Sequence, residues 1–356
     1  MISGPVSDAE ALSWAAASPS DIQGLMARAA GIRDRVWGRV LTYSPKVFLP
    51  ITNLCRNRCE YCAFRRSSGD DGEWTMSPDD IGSSLSSAKA QGCVEALLCL
   101  GDTPETAFPE YRRTLVSVGH ERTVDYLEWA CHRALEMGLL PHTNAGILSR
   151  TDMQRLKAVN VSLGLMLENV SPRLCEKGMA HHRAPDKRPA PRLRMLREAG
   201  ELAIPFTTGI LIGIGETREE RIRTLLAIRD SHLEFGHVQE VIVQNFTPHA
   251  KTPMAGWEEP SAEEMAHSVA AARLILPEDV SVQAPPNLNS GRTALLVDAG
   301  VNDFGGISPV TPDYINPDRP WPFVAALRDI VRGLGCELRP RLPVYESYLD
   351  RPGFLD

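Results

Sequence analysis

The feature that most limits how this chain can fold is a repeated change of period. From Lys46 onward, short apolar or β-branched runs alternate with longer amphipathic stretches: "KVFLPIT", "VEALLCLG", "LPHTNAG", "VSLGLMLEN", "PFTTGILIGIG", "EVIVQNF", "VSVQAPP" and a weaker "VNDFGG". Runs of this kind suit buried strands, and the stretches between them carry helical periodicity. Helices are expected at 77–91, 123–138, 189–203, 217–235, 261–276 and 322–335, the first opening on "SPDD", a cap followed by early carboxylates. Regular alternation calls for parallel strands joined by right-handed crossovers. Eight such units over roughly 290 residues fit an α/β fold of the (β/α)8, TIM-barrel type better than an open doubly wound sheet, which is the alternative. Residues 1–43, with "SDAEALSWAAA" and "DIQGLMARAAGIRDRVWG", read as an N-terminal helical leader, leaving 44–356 for the barrel and a C-terminal extension.

Charge narrows the partners. The 38 Lys and Arg against 45 Asp and Glu give a net −7, and the basic residues are scattered, so no nucleic-acid footprint is present. The opening "MISGPVSDAEALSW" lacks a basic flank and apolar run, and no stretch approaches about 18 uninterrupted apolar residues, so a cytoplasmic protein without membrane contact is expected. In that compartment thiols stay reduced, and clustered cysteines more readily hold metal than form disulfides.

Three of the eight cysteines are clustered: Cys55, Cys59 and Cys62 in "NLCRNRCEYCAF", spaced C-x3-C-x2-C just after the first strand. Barrel geometry puts residues after each strand at one mouth. Structural zinc takes four protein ligands in a closed tetrahedron, and no partner stands at finger spacing. An iron–sulfur cluster is the other thiolate-rich option, and three protein ligands would leave one iron open to a small molecule. A non-catalytic electron carrier would need a fourth ligand, for which Cys93 or Cys99 could be considered. Cys131 shares a helical apolar face with Val124, Leu127 and Leu135 and reads as core.

This cysteine spacing after the first strand of such a barrel resembles the radical S-adenosylmethionine (SAM) superfamily. The resemblance implies a [4Fe-4S] cluster on Cys55, Cys59 and Cys62, SAM chelating the fourth iron, and reductive cleavage to a 5′-deoxyadenosyl radical. It further implies SAM contacts from Tyr61 beside the last cysteine; from Gly101 and Asp102 in "LGDTPE", which departs from the family's Gly-Gly-Glu-like segment; and from Glu168 at the end of "SLGLMLEN". Arg192 in "APRLRML" would meet the SAM carboxylate, as a planar guanidinium suits. Gly213, Gly215 and Glu216 in "GILIGIGET" resemble the adenine-contact segment, where glycine lets backbone approach a flat ring.

From about Tyr43 to Tyr348, "TYSPKVFLPITNLCRNRCEYCAF", "HTNAGILS", "VQNFTPH", "QAPPNLN" and "NDFGGISPVTPDYINP" are similar to the smaller radical SAM component of deazariboflavin synthases. That resemblance implies an ammonia-releasing lyase of deazaflavin cofactor biosynthesis. Its substrate, a hydroxybenzyl adduct of a ribitylamino-uracil, would come from a companion radical SAM enzyme, and its electrons from a reductase, flavodoxin or ferredoxin. A single C-x3-C-x2-C and no internal repeat fit one radical half-reaction. Futalosine-type and biotin-synthase-like barrel enzymes share the cluster and glycine motifs and stand as rivals.

Strand ends six to eight are the expected substrate wall: Gln244, Asn245, Asn287, Asn289 and Asn302, whose amides suit a uracil edge and ribityl hydroxyls. Asp303 or His249 would handle protons. His142 reads as a packed histidine or an interior one, and His181 and His182 as solvated.

Overall fold

The computed structural model describes residues 6–355; the first five residues of the expected leader and Asp356 lie outside them. Eight parallel strands close into a barrel: β1 (Val40–Thr52), β2 (Glu95–Leu100), β3 (Leu140–Asn144), β4 (Ser162–Gly164), β5 (Phe206–Ile212), β6 (Val238–Asn245), β7 (Ser281–Gln283) and β8 (Asp303–Ile307). Ladders from β1 to both β2 and β8 seal it and exclude the open sheet. The crossover helices Pro78–Ala90, Thr123–Glu136, Pro189–Glu201, Arg218–Phe235 and Ala262–Ile275 lie where the helical periodicity puts them, and Val324–Gly333 follows β8. Ser77 and Thr217 each cap their helix through a capping box, the local chemistry that starts these elements where the sequence says.

Strand alternation sorts the side chains. On β1, Leu41, Val47, Leu49 and Ile51 are fully buried against the helical layer, while Lys46, Phe48 and Pro50 line cavities on the barrel axis. Register carries this pattern round the barrel, pairing Lys46 with Glu95, Phe48 with Leu97 and Pro50 with Cys99. Bulky branched residues usually fill such an interior. Here the axial layer nearest the strand starts is charged, and the layers above it are apolar and then polar.

A ninth strand, β9 (Glu337–Pro340), pairs with Val40–Tyr43 of β1. Beyond it the chain crosses beneath the barrel. Arg341 donates to Asp303 (2.6 and 2.9 Å) and to Glu240 (2.7 Å), and the Pro343 carbonyl accepts from Ser162 (2.8 Å) and Gln239 (3.1 Å). This segment is the barrel's floor.

The floor corrects two expectations. "VNDFGG" does supply the eighth strand, but Asn302 and Asp303 stand at its start rather than at the mouth: Asp303 opens β8 in register with Thr42, at the end opposite the cysteines. Asp303 is fully buried, held by Thr42 and Arg341. Asn302 accepts from Arg273 and from Val282 N (2.8 Å) and donates to Ser281 (2.9 Å). Neither reaches the mouth.

In the leader, Pro19–Trp37 packs on Ala262–Ile275, and His267 Nε2 bonds the Trp14 carbonyl at 2.9 Å.

Burial opposes ionisation of Asp303, but Arg341, Thr42 and the Gly305 N–H outweigh it and hold its carboxyl below the ordinary 3.8. A depressed carboxyl adds stability above its ordinary value and loses it as pH falls through the native one. Arg341→Leu strands the buried Asp303 carboxylate beside Glu240, whose carboxyl burial already pushes up to about 7, and should cost about 3–5 kcal/mol at pH 7. The deficit should shrink toward pH 4, where protonation removes the unpaired charge; urea unfolding at both pH values measures it, and a pH-independent deficit would contradict the ion-pair account.

Candidate active site

The loop after β1 has no regular structure, so its shape comes from clamps. Cys55 N donates to Arg66 O (3.2 Å), Arg58 N to Arg183 O (2.9 Å) and Glu60 N to Ala180 O (3.0 Å), laying the loop against the segment that follows β4. Asp102, after β2, fixes the other side. Its carboxylate accepts from Asn57 Nδ2 (2.8 Å) and Ile147 N (2.6 Å), with Arg192 at 3.6 Å, and its carbonyl accepts from Arg56 N (3.1 Å). Its own N–H points at Cys55 Sγ, 3.3 Å away. Gly101 must be glycine: a Cβ there would lie 2.4 Å from Cys55 Cβ and 2.6 Å from its sulfur.

Cys55, Cys59 and Cys62 line one cavity of about 340 Å³ at the strand ends, together with Tyr61, Glu168 and Arg192. Burial pushes the Cys55 thiol up to about 11 and Cys59 well above its ordinary value. Thiols so buried stay protonated unless positive charge takes the proton's place, as iron does. An N–H aimed at a sulfur, three thiols round one cavity and a glycine cradle beneath them make a donor set that fits a cluster of irons.

Glu168 organises the opposite wall. It accepts from Tyr61 OH (2.8 Å) and Lys187 Nζ (2.5 Å), with His181 Nε2 at 3.1 Å. Burial alone would raise its carboxyl, but Lys187, His181 and Arg192 hold it well below the usual range. Its backbone is left-handed at φ +63°, a conformation costly for a side-chain-bearing residue. Hydrogen bonds to Gly209 O (2.8 Å) and from Leu211 N (3.2 Å) impose it. Arg192 is buried and donates to the carbonyls of Met166 (3.0 Å) and Asp186 (3.1 Å), which set its plane.

Several expected site residues lie elsewhere. Gly213, Gly215 and Glu216 are absent from the cavity wall, where Leu211 stands instead. Glu216 laces its own loop, accepting from Gly213 N and Ile214 N (both 2.8 Å) and Arg221 Nε (2.6 Å). Gly213, at φ +93°, avoids Pro260, which a Cβ would meet at 2.5 Å. Asn245 and Asn289 bond each other at 2.9 Å behind the wall. His249 lies beside Asn316 (3.3 Å) in an outer groove that meets the cysteine cavity at Cys59 and Cys62, outside the axial cavities themselves. Gln244 and Asn287 do face the axial cavities.

His181, expected to be solvated, is buried against Tyr61 and Glu168. Lys187, Asn57 and Asp186 were not foreseen; Asn57 lies in an irregular loop and the other two in the single 3-10 turn Pro185–Lys187, too short for a period to mark a residue as inward-facing.

A second cavity of about 180 Å³ adjoins the cysteine cavity along the axis, the two sharing wall residues that include Phe48, Leu97, Asn144, Ile242, Gln244 and Asp313.

If Glu216 is a loop staple, Glu216→Gln should cost about 1.5–3 kcal/mol, the worth of hydrogen bonds to a charge. SAM affinity should change less than about twofold, since no cavity atom is lost. Weakened SAM binding with an unchanged melting temperature would return Glu216 to the adenine.

Among the described residues no helix is long and apolar enough to cross a membrane. The model of the radical SAM superfamily matches residues 49–228. The chain is 48% identical over 315 residues to the 7,8-didemethyl-8-hydroxy-5-deazariboflavin synthase of Methanopyrus kandleri, covering 88% of this chain and 93% of that one. It is equally identical over 311 residues to the synthase of that name from Methanococcoides burtonii, covering 87% and 91%. Against the FO synthase of Mycobacterium tuberculosis (strain H37Rv), 46% identity spans 92% of this chain but 40% of that longer one. Among solved structures, the FeFe-hydrogenase maturase HydG from Carboxydothermus hydrogenoformans superposes with a TM-score of 0.77 at 20% identity, over 98% of this chain and 78% of that one. Methylornithine synthase (PylB) gives 0.73 at 18%, over 94% of each. These two establish the barrel alone; the sequence relatives establish more, and the chain belongs to the radical SAM superfamily and, within it, to the 7,8-didemethyl-8-hydroxy-5-deazariboflavin synthases, SAM- and [4Fe-4S]-dependent enzymes of deazaflavin cofactor biosynthesis.

Proposed function

We propose that this chain carries out the ring-closing half of deazaflavin construction, oxidising and cyclising a hydroxybenzyl–ribitylamino-uracil adduct with release of ammonia. The observation that carries the reading is the pair of adjoining cavities along the barrel axis, one lined by the three cysteines and the next sharing its wall, which puts a cofactor and a ring system side by side. Reductively cleaved SAM supplies a hydrogen-atom acceptor strong enough for an unactivated centre.

The chain's own residues do the positioning. Cys55, Cys59 and Cys62 hold the cluster, and the Asp102 N–H steadies the Cys55 sulfur. Tyr61, Glu168, Lys187 and Arg192 form the wall that orients SAM, their charges already paired so that none must reorganise. Gln244 and Asn287 offer amides to the uracil edge. The Asn287 amide oxygen is buried without a partner among the described residues, which leaves it free for a ligand N–H.

The adduct comes from a companion enzyme: the chain has one cluster motif, and its match occupies 40% of the longer FO synthase, where a second activity has room. Electrons come from an acidic flavodoxin or ferredoxin. An outer groove lined by Arg58, Arg65, Arg66, Arg183 and Lys251 runs to Cys59 and Cys62 and suits a negatively charged donor.

Anaerobically reconstituted protein given reductant, SAM and the adduct should form 5′-deoxyadenosine and fluorescent deazaflavin together. Cys59→Ala should lose iron and both products while keeping its far-ultraviolet dichroism; deoxyadenosine without deazaflavin would point to another substrate. Lys251→Glu should slow cluster reduction by flavodoxin several-fold, with a reduced salt dependence, and leave dithionite reduction unchanged. Equal slowing with both reductants would remove the groove from electron delivery.

A further inference from the structure

The lower cavity is unlike the one above it. Its wall near the floor carries Lys46, Glu95, His142, Glu240, Gln283 and Arg341, whereas aromatic and aliphatic side chains dominate higher up, with Phe48 stacked on Trp321 at 5.1 Å. Lys46 pairs with Glu95 (2.8 Å), and Arg341 is shared between Glu240 (2.7 Å) and Asp303 (2.6 Å), while burial pushes the Glu240 carboxyl up to about 7, so neither sign dominates the floor. At about 10–15 Å³ of such space per water, the cavity has room for on the order of ten waters. A recessed space of this size with a charged lining is costly unless something polar fills it.

Two groups on this wall have hydrogen-bonding capacity that the protein does not use. The Ser162 hydroxyl has one proton, and it goes to the Pro343 carbonyl (2.8 Å). The contact of 2.6 Å between His142 Nδ1 and Ser162 Oγ must therefore be donated by the imidazole, which fixes the tautomer and leaves Nε2 as a bare acceptor. Burial, together with nearby Lys46 and Arg341, keeps this ring neutral, its pKa lowered to about 4. Gly164 gives Nε2 its space, since a Cβ there would lie 2.9 Å away. The Gln283 amide makes no side-chain hydrogen bond among the described residues, and Gly305, at φ +69°, opens the place it occupies.

The lining selects a class of ligand. A phosphate or carboxylate would meet Glu95 and Glu240, and an amine would meet Lys46 and Arg341. A neutral group able to donate and accept at successive atoms satisfies all of them, and hydroxyls on adjacent carbons do this. We propose that the floor of the barrel is a polyol subsite: it takes the ribityl chain of the substrate, His142 Nε2 and the Gln283 amide supplying the uncommitted hydrogen bonds, and so holds the ring system upward beside Phe48 and Ile242, toward SAM. This rests on the function proposed above for the identity of the polyol, and the floor residues act in positioning rather than in the chemistry.

The test compares a ribityl-bearing uracil with its N-methyl counterpart by equilibrium dialysis against anaerobically reconstituted, unreduced protein, so that no turnover enters. Wild type should favour the ribityl compound by about 10- to 100-fold, the worth of one or two hydrogen bonds to polar or charged groups. Gln283→Leu breaks no side-chain hydrogen bond in the protein and should bring the ratio most of the way to one. His142→Phe should do the same, whereas His142→Gln, which can still offer an acceptor, should restore part of the preference. Binding of the N-methyl compound reports folding within each variant. Equal affinities in wild type, or a ratio that survives both Gln283→Leu and His142→Phe, would overturn the subsite. If the preference is present and lost as described but the complete adduct yields no deazaflavin, the subsite stands and only the reaction assigned above falls.

Discussion

The site hangs on the buried carboxylate of Asp102. It reaches the cysteine loop through Asn57, the end of β3 through Ile147 N and the helix after β4 through Arg192, while the same residue's N–H meets the Cys55 sulfur. Three strand ends are thereby held by one side chain, and Cys55 by the backbone of the same residue. Gly146, at φ +70°, has its Cβ position 2.1 Å from this carboxylate, so the end of β3 is shaped round it as well. A loop with no ladder of its own needs such a brace, because each of its backbone groups must otherwise find water or lose a hydrogen bond.

The sequence was readable where period governs and opaque where tertiary clamps do. Strands and helices of the barrel follow from alternation and capping, and the cysteines from their spacing after β1. The weak "VNDFGG" run is a strand as expected, but its polar residues open it instead of ending it at the mouth; Asp303 and Asn302 are tolerated at a strand start because Arg341 and Arg273, distant in sequence, satisfy them. "GILIGIGE" carried a ligand-like glycine pattern whose cause is crowding by Pro260 and a local carboxylate staple. His181 and Lys187 had no signal, since the chain from 173 to 188 holds its shape through contacts with the cysteine loop and Glu168.

The charged interior had been visible in part. Along "KVFLPIT" and "VEALLCLG" the alternate residues that face the axis begin with Lys46 and Glu95, a choice that a barrel built only for packing would not make. Polar residues opening otherwise apolar strands indicate that the axis is occupied space.

The route of the chain beneath the barrel has a consequence for how the molecule assembles. β1 precedes every other strand of the barrel, yet its opening residues pair with β9, which follows all of them. The floor closes only when Arg341 and Pro343 arrive. Such non-local pairing makes folding slow, because the entropy of closing so long a loop precedes the contacts that offset it. Until then the carboxylates of Glu240 and Asp303 lack their cation, and the half-built barrel is open to water from both ends. The barrel gains its bottom only after all eight of its strands are in the chain.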